Sequence, residues 1–273
     1  MLSQNLSQSA RSRGIRRTVS VDGVAGVYFE YPAIEKGAET LVMIHGYRGN
    51  HRGLEAIAAG LSKYRVLIPD LPGFGESSPL RSEHSIQAYS DWLRGFLEEL
   101  GIQDRVHLMG HSFGSLVVGY YATKHSPKSV ALVNPVSMPA LEGPRAALTN
   151  LTKIYYALAL FAPRFAGEWL LRNKMAVMVM SVVMAKTKNR SLRRWIHDQH
   201  LSNFSDFASV EVATQGYEAS ISTDLSKLAA AIEAPVLVVA ATLDDITDIE
   251  SQRRVSKLYP NCSYREIQDV GHL

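Results

Sequence analysis

Cys262 is the only cysteine among 273 residues, so the chain cannot form a disulfide within itself. It must fold on its apolar core alone, in keeping with a reducing compartment. Long hydrophobic runs are also missing. The longest, Met175–Met184, is broken by Ser181 and falls well short of the ~20 residues that span a bilayer. Met1–Ser12 is polar and lacks the apolar centre of a signal peptide. The expectation is a cytoplasmic protein with no stable membrane insertion. With 19 Gly and 11 Pro, collagen-like and low-complexity classes are excluded. Neither sign of charge dominates: 29 Lys and Arg face 26 Asp and Glu. Arg11, Arg13, Arg16 and Arg17 all precede the first acid, Asp22, and without them the remainder is slightly acidic. The body therefore offers no basic stripe for a polyanion, and no nucleic-acid partner is expected. Residues 1–16 read as a disordered basic tail.

What is present is a large apolar fraction, 46%, against 20% charged residues, which excludes disorder and allows a sizeable core. Short β-branched runs alternate with helical stretches. Arg17–Val21 and Val27–Tyr31, joined around Asp22-Gly23, suggest an antiparallel pair. Thr40–Ile44, Arg65–Pro69, Arg105–Met109, Ser129–Val133, Pro235–Ala241 and Ser263–Gln268 follow, most of them continuously apolar, as strands covered on both faces must be. Between them Gly53–Lys63, Ile86–Leu100 and Ser112–Lys124 read as helices. This alternation predicts an α/β fold with a doubly wound, mostly parallel, eight-stranded sheet. The rhythm stops at Ser137–Thr223, which holds helical patterns only (Arg145–Phe161, Arg164–Leu171, Lys174–Lys186, Arg190–Ser202) and is too long for a loop. The organisation read from this is a core of residues 17–136 and 224–273 with a helical insertion, 137–223.

Gly110-His111-Ser112-Phe113-Gly114 closes a predicted strand and opens a predicted helix. Such a G-x-S-x-G turn is sharp enough to strain the serine backbone and to leave no room for flanking side chains. It raises Ser112 Oγ above the sheet at a helix N-terminus, which favours developing negative charge. A nucleophilic serine needs a base, and the base needs an orienting acid. In a doubly wound sheet both come from the carboxyl ends of later strands. Two such ends remain, carrying Asp244 and His272. His272 would take the Ser112 proton while Asp244 fixes its tautomer. The backbone N–H groups of Phe113 and of Tyr47, in the loop His45-Gly46-Tyr47-Arg48-Gly49, are the candidate oxyanion donors. His45 is expected to brace that loop. His197 and His200 stand at i, i+3 without a completing ligand and read as a solvated helix face, and no metal or organic cofactor is expected.

These motifs resemble the α/β-hydrolase fold superfamily, in its lid-bearing serine hydrolase and esterase branch. His45-Gly46, Asp70-Leu71-Pro72-Gly73-Phe74-Gly75-Glu76-Ser77, Gly110–Gly114 and Gly271-His272 match family motifs in order, over residues 17 to the end. The resemblance implies Ser112 as nucleophile, Asp244 as acid, His272 as base, Tyr47 and Phe113 as oxyanion donors, and residues 137–223 as a lid. Asp245 and Asp248 are the alternatives to Asp244, which the G-x-x-D pattern at Ala241-Thr242-Leu243-Asp244 favours. The sequence ends at Leu273, where relatives usually continue into a final helix.

The apolar Lys174–Lys186 stretch shows little polar face and reads as a helix buried between layers. The alternative is an adaptable Met-rich ceiling over a hydrophobic acyl group, with the basic residues from Arg172 to Arg194 facing an anionic head group or membrane. His111, Met175 and Met178 are the candidate substrate contacts. The expected function is ester hydrolysis through an acyl-enzyme. An amidase or peptidase is an alternative, disfavoured by the few lid acids (Glu142, Glu168, Asp198, Asp206, Glu211, Glu218). A carbon–carbon bond hydrolase or acyl transferase with the same triad and a non-catalytic ligand-binding protein are the others.

Overall fold

The apolar runs become one eight-stranded sheet in the computed structural model, which describes residues 2–141 and 146–272. Glu142 and the expected helix start at Arg145 lie outside the described residues. The strands are β1 (Ile15–Val21), β2 (Val24–Tyr31), β3 (Thr40–Ile44), β4 (Arg65–Pro69), β5 (Val106–His111), β6 (Ser129–Val133), β7 (Val236–Ala241) and β8 (Cys262–Ile267). Their spatial order is β1-β2-β4-β3-β5-β6-β7-β8. β2 is antiparallel to both its neighbours, and every other pairing is parallel. Asp22 and Gly23, at φ +50° and +74°, make the tight turn between β1 and β2.

Helices cover both faces: α1 (Leu2–Arg13), α2 (Glu55–Gly60), α3 (Ile86–Glu99), α4 (Phe113–Ala122) and α10 (Ile249–Ser256), with further helices inserted between β6 and β7. α3 shows why the sequence folds this way. Ser85 caps it by accepting the Ala88 N–H, and Tyr89, Leu93, Phe96 and Leu97 form its buried stripe. Gly101 at φ +64° follows its end. Each such side chain contributes about 1.5–3 kcal/mol on burial. The larger core lies around α3 and α4, and a smaller one (Tyr31, Leu41, Met43, Leu54, Val66, Ile68) lies on β2–β4 with α1 and α2.

Two expectations need correction. The N-terminal segment is not a disordered tail: Leu2–Arg13 is helical and packs on α2, with Ser7 and Ala10 buried. Arg11 donates to buried Glu55 at 2.7 Å, an anchor supplied by a residue 44 positions away. The second correction concerns the inserted helices: α5 (Ala146–Phe161), α6 (Arg164–Arg172), α7 (Lys174–Met184), α8 (Arg190–Asn203) and α9 (Val210–Ser222). α7 is not buried between layers. It buries only Val177 and Ser181, while Met175, Val179 and Val182 are exposed.

Candidate active site

Ser112 stands between the last residue of β5 and the first of α4, at φ +52°, a region non-glycine residues rarely occupy. The strain is held by the flanks. The Ser112 N–H donates to Val133 O at 3.0 Å, and Ser115 returns N–H and Oγ–H bonds to Ser112 O at 2.8 and 2.5 Å. A Cβ on Gly110 would strike the Gly114 carbonyl, and one on Gly114 would strike the Ile44 carbonyl. Glycine at both positions is thus a steric requirement of the turn.

Asp244 follows β7 and His272 follows β8, and the structure brings both to Ser112. His272 Nδ1 lies 2.7 Å from Asp244 Oδ2, and His272 Nε2 lies 2.7 Å from Ser112 Oγ. A carboxylate can only accept, so Nδ1 carries the proton and Nε2 is left to accept from the serine hydroxyl. Asp244 is itself held by Ile246 N–H, Thr247 N–H and Thr247 Oγ–H at 2.8–3.0 Å. Burial pushes its pKa up, yet the His272 ring and the bonds from His272 and Thr247 outweigh that and hold it below the ordinary carboxylate value. Asp245, the neighbouring candidate, pairs with Lys186 at 2.5 Å, and Asp248 caps α10.

What holds His272 was not read from the sequence. Its carbonyl accepts from Asn134 Nδ2 at 2.8 Å and from His111 Nε2 at 3.2 Å, while Asn134 Oδ1 accepts the Ala241 N–H at 2.8 Å. One amide thus ties the His272 backbone to the end of β7. Asn134 sits at φ +44°, which asparagine tolerates better than most residues, and the Asn134-Pro135 pair after β6 was the available signal. His111, proposed as a substrate contact, lines the cavity beside Ser112 but spends its Nε2–H on this carbonyl.

The loop after β3 closes on the same point. A Cβ at Gly46 would lie 3.4 Å from Ser112 Cβ, so the backbone carrying Tyr47 runs against the serine. Phe113, the other proposed donor, opens α4 directly after it. His45 Nε2 accepts the Leu71 N–H, which puts the proton on Nδ1, 2.9 Å from the Gly46 carbonyl. Both ring nitrogens are thus engaged in bracing. Arg48, fully buried at φ +56°, reaches the inserted helices. It donates to Phe204 O, Leu171 O and Tyr156 Oη at 2.7–3.2 Å, with Phe204 and Phe207 within 6 Å of the guanidinium.

Above Ser112 lies a cavity of about 720 Å³, lined chiefly by apolar side chains. Met180, Met184, Val179 and Val183 contribute from α7, Leu192, Trp195 and Ile196 from α8 and Tyr217 from α9. Met175 and Met178 do not line it: Met175 points to solvent at 79% exposure. The methionines of α7 that line the cavity are Met180 and Met184. Nor are His197 and His200 a solvated face. Both rings meet buried Ser181 Oγ at 2.6 Å, and His200 lines the cavity. Among the described residues no cluster of three or more His, Cys, Asp or Glu fits a metal.

A sheet of this order, with a strained serine at the end of its central strand, defines a class. The chain belongs to the α/β hydrolase fold family, whose pattern matches residues 39–273. It is 27% identical to Lipase 1 of Psychrobacter immobilis, over 86% of this chain and 71% of that protein. It is 25% identical to 2-hydroxy-6-oxononadienedioate/2-hydroxy-6-oxononatrienedioate hydrolase 2 of Pseudomonas putida, over 98% and 92% respectively. Among solved structures, the enol-lactonase from Burkholderia xenovorans shares the fold with a TM-score of 0.76 at 20% identity, over 94% of this chain and 92% of that one.

Proposed function

We propose that the chain hydrolyses a carboxylic ester bearing an apolar acyl group, with residues 137–223 acting as a lid over the core. Ser112 Oγ attacks the ester carbonyl as His272 Nε2 takes its proton, and Asp244 stabilises the resulting imidazolium. The N–H groups of Tyr47 and Phe113 hold the oxyanion. The tetrahedral intermediate collapses as His272 returns the proton to the leaving alcohol. Water, deprotonated by the same ring, then releases the acid and regenerates Ser112. The observation that carries this reading is the pair of 2.7 Å contacts through His272 at the base of an apolar cavity. Similarity to a lipase supports the ester. Similarity to the Pseudomonas putida hydrolase favours carbon–carbon cleavage as the second reading.

A panel of p-nitrophenyl esters of graded chain length, run beside the matching anilides, tests the reading. Hydrolysis of esters with a preference for longer acyl groups is expected, together with stoichiometric labelling of Ser112 by a fluorophosphonate. Cleavage of anilides alone would transfer the assignment to an amidase. Labelling without turnover of either set would favour the carbon–carbon reading, and absence of labelling a binding protein.

Asn134 acts in this scheme as a positioning residue. Asn134→Ala is expected to lower kcat on the preferred ester by ~10²-fold, because small displacements of a base are that costly. KM should be nearly unchanged. An equal rise in KM with kcat intact would mean that Asn134 shapes the cavity instead.

A further inference from the structure

The inserted helices are amphipathic in an unusual sense: the face opposite the protein is apolar too. α5 buries Tyr156 and Ala159 and exposes Leu151, Ile154, Leu158 and Phe161. α6 buries Gly167 and Leu171 and exposes Phe165 and Trp169, and α7 buries Val177 and Ser181 and exposes Met175, Val179 and Val182. At ~100° per residue, each exposed set lies roughly opposite the buried set of the same helix. The three helices are consecutive, with α5 packed on α6 and α6 on α7. Phe161, Phe165 and Trp169 are 86%, 79% and 67% exposed, far beyond the scattered apolar residues of an ordinary surface.

Charge decides what covers this face. From residue 146 to 205 the chain carries nine Lys and Arg and only two acids, Glu168 and Asp198. Lys153, Lys174, Lys188, Arg190, Arg193 and Arg194 are exposed. Lys153 and Lys174 belong to α5 and α7, Lys188 follows α7, and the three arginines lie on α8, which packs on α7, so a second copy docking isologously on α5–α7 would bring cations toward their own images. An anionic bilayer accepts both parts at once, with aromatic rings at the acyl boundary and cations among the head groups. Val179 of α7 and Leu148 of α5 are solvent-exposed and line the cavity, as do exposed Ile57, Ile246 and Ile267 on other elements, so one part of the cavity rim belongs to these helices.

We infer that the outward face of α5–α7 docks peripherally on an anionic lipid surface, setting the part of the cavity rim formed by Leu148 and Val179 near the layer that holds apolar molecules. Among the described residues no helix is long and apolar enough to cross a membrane, so the contact is adsorption. Docking does not depend on the proposed chemistry and is testable without it.

The experiment is co-sedimentation of the full chain, as the Ser112→Ala variant to prevent lipid turnover, with vesicles of phosphatidylcholine alone or mixed with phosphatidylglycerol. Partitioning onto the mixed vesicles is expected, weakening at high salt. The triple variant Phe161→Ser/Phe165→Ser/Trp169→Ser should lose about 100-fold in partition coefficient on both. Arg190→Gln/Arg193→Gln/Arg194→Gln should lose about 100-fold on mixed vesicles only, at ~1 kcal/mol per cation. All six residues are exposed, so the thermal melt should be unchanged for either variant. Failure to sediment with any vesicle, or partitioning that the aromatic variant retains, would overturn the inference. So would a dimer in sedimentation velocity that the aromatic substitutions dissolve, which would assign the face to a second copy.

Discussion

Ser112→Ala is expected to reduce kcat on the preferred ester by roughly 10⁶-fold, and Asp244→Asn by about 10⁴-fold. The first loss is simple, since no other hydroxyl lies within hydrogen-bond reach of His272 Nε2 in the described contacts. The second follows from the donors around Asp244. Its Oδ1 accepts two backbone N–H groups, from Ile246 and Thr247, which cannot reverse their roles. An asparagine must therefore keep its oxygen there and turn its NH₂ toward Thr247 Oγ and His272 Nδ1. The hydroxyl can rotate to accept. The imidazole can accept only by giving up the Nδ1 proton, which moves it to Nε2, and that nitrogen can no longer take a proton from Ser112. The side chain is isosteric, so folding should be preserved while the tautomer is wrong. Because the three residues act as a unit, Ser112→Ala/Asp244→Asn should be no slower than Ser112→Ala alone. Steady-state kinetics with titrated active sites provides the check. An Asp244→Asn enzyme within ~10-fold of the parent would mean that the carboxylate does not set the tautomer.

The inner strands and the three converging residues were legible because burial on both faces writes an unbroken apolar run, and the topology then fixes where later strand ends must lie. The edge strands β1 and β8, polar and largely exposed, were marked by β-branched and aromatic residues between turns. All eight strands emerge within a few residues of the expected places. α1 was illegible for the opposite reason. It is almost wholly polar, its buried contacts are the small residues Ser7 and Ala10, and its anchor, Glu55, lies across the fold. α7 was recognisable as a helix but carried no phase: with apolar residues on every side, nothing in the sequence separates Met180 and Met184, which line the cavity, from Met175, which does not. Asn134 and Arg48 stayed hidden because, Tyr156 Oη apart, their partners are backbone carbonyls and N–H groups, whose positions residue identity does not mark. The inward rings of His197 and His200 depend on Ser181, sixteen and nineteen positions earlier, a pairing that no local pattern announces.

The buried imidazoles of His45, His84, His111 and His200 have a consequence for the whole molecule. The fold is expected to lose stability steeply as pH falls from 6.5 toward 4.5. Burial is the first cause of a lowered pKa at His84, His111 and His200, each pushed down to about 4, and it acts in the same direction at His45. The neighbouring His272 ring adds to the effect at His111, and His197 adds to it at His200. In the unfolded chain these rings bind protons near their ordinary value of 6.5, whereas in the fold they remain neutral. Below 6.5 the unfolded state therefore takes up more protons than the native state, and each such histidine costs about 1.4 kcal/mol per pH unit until its folded value is reached. Three of them over these two units amount to roughly 8 kcal/mol, comparable to the whole stability of many domains. Carboxylates do not offset this. Asp70 and Asp244 are held below the ordinary value, so the stability they contribute persists throughout this window and is lost only at lower pH. Urea denaturation at a series of pH values should show the midpoint falling through the window. His200→Gln should make the decline shallower by the share of one proton. A midpoint constant from pH 6.5 to 4.5 would mean that the imidazoles reach water in the native state, contradicting the closed packing of α8 over the cavity.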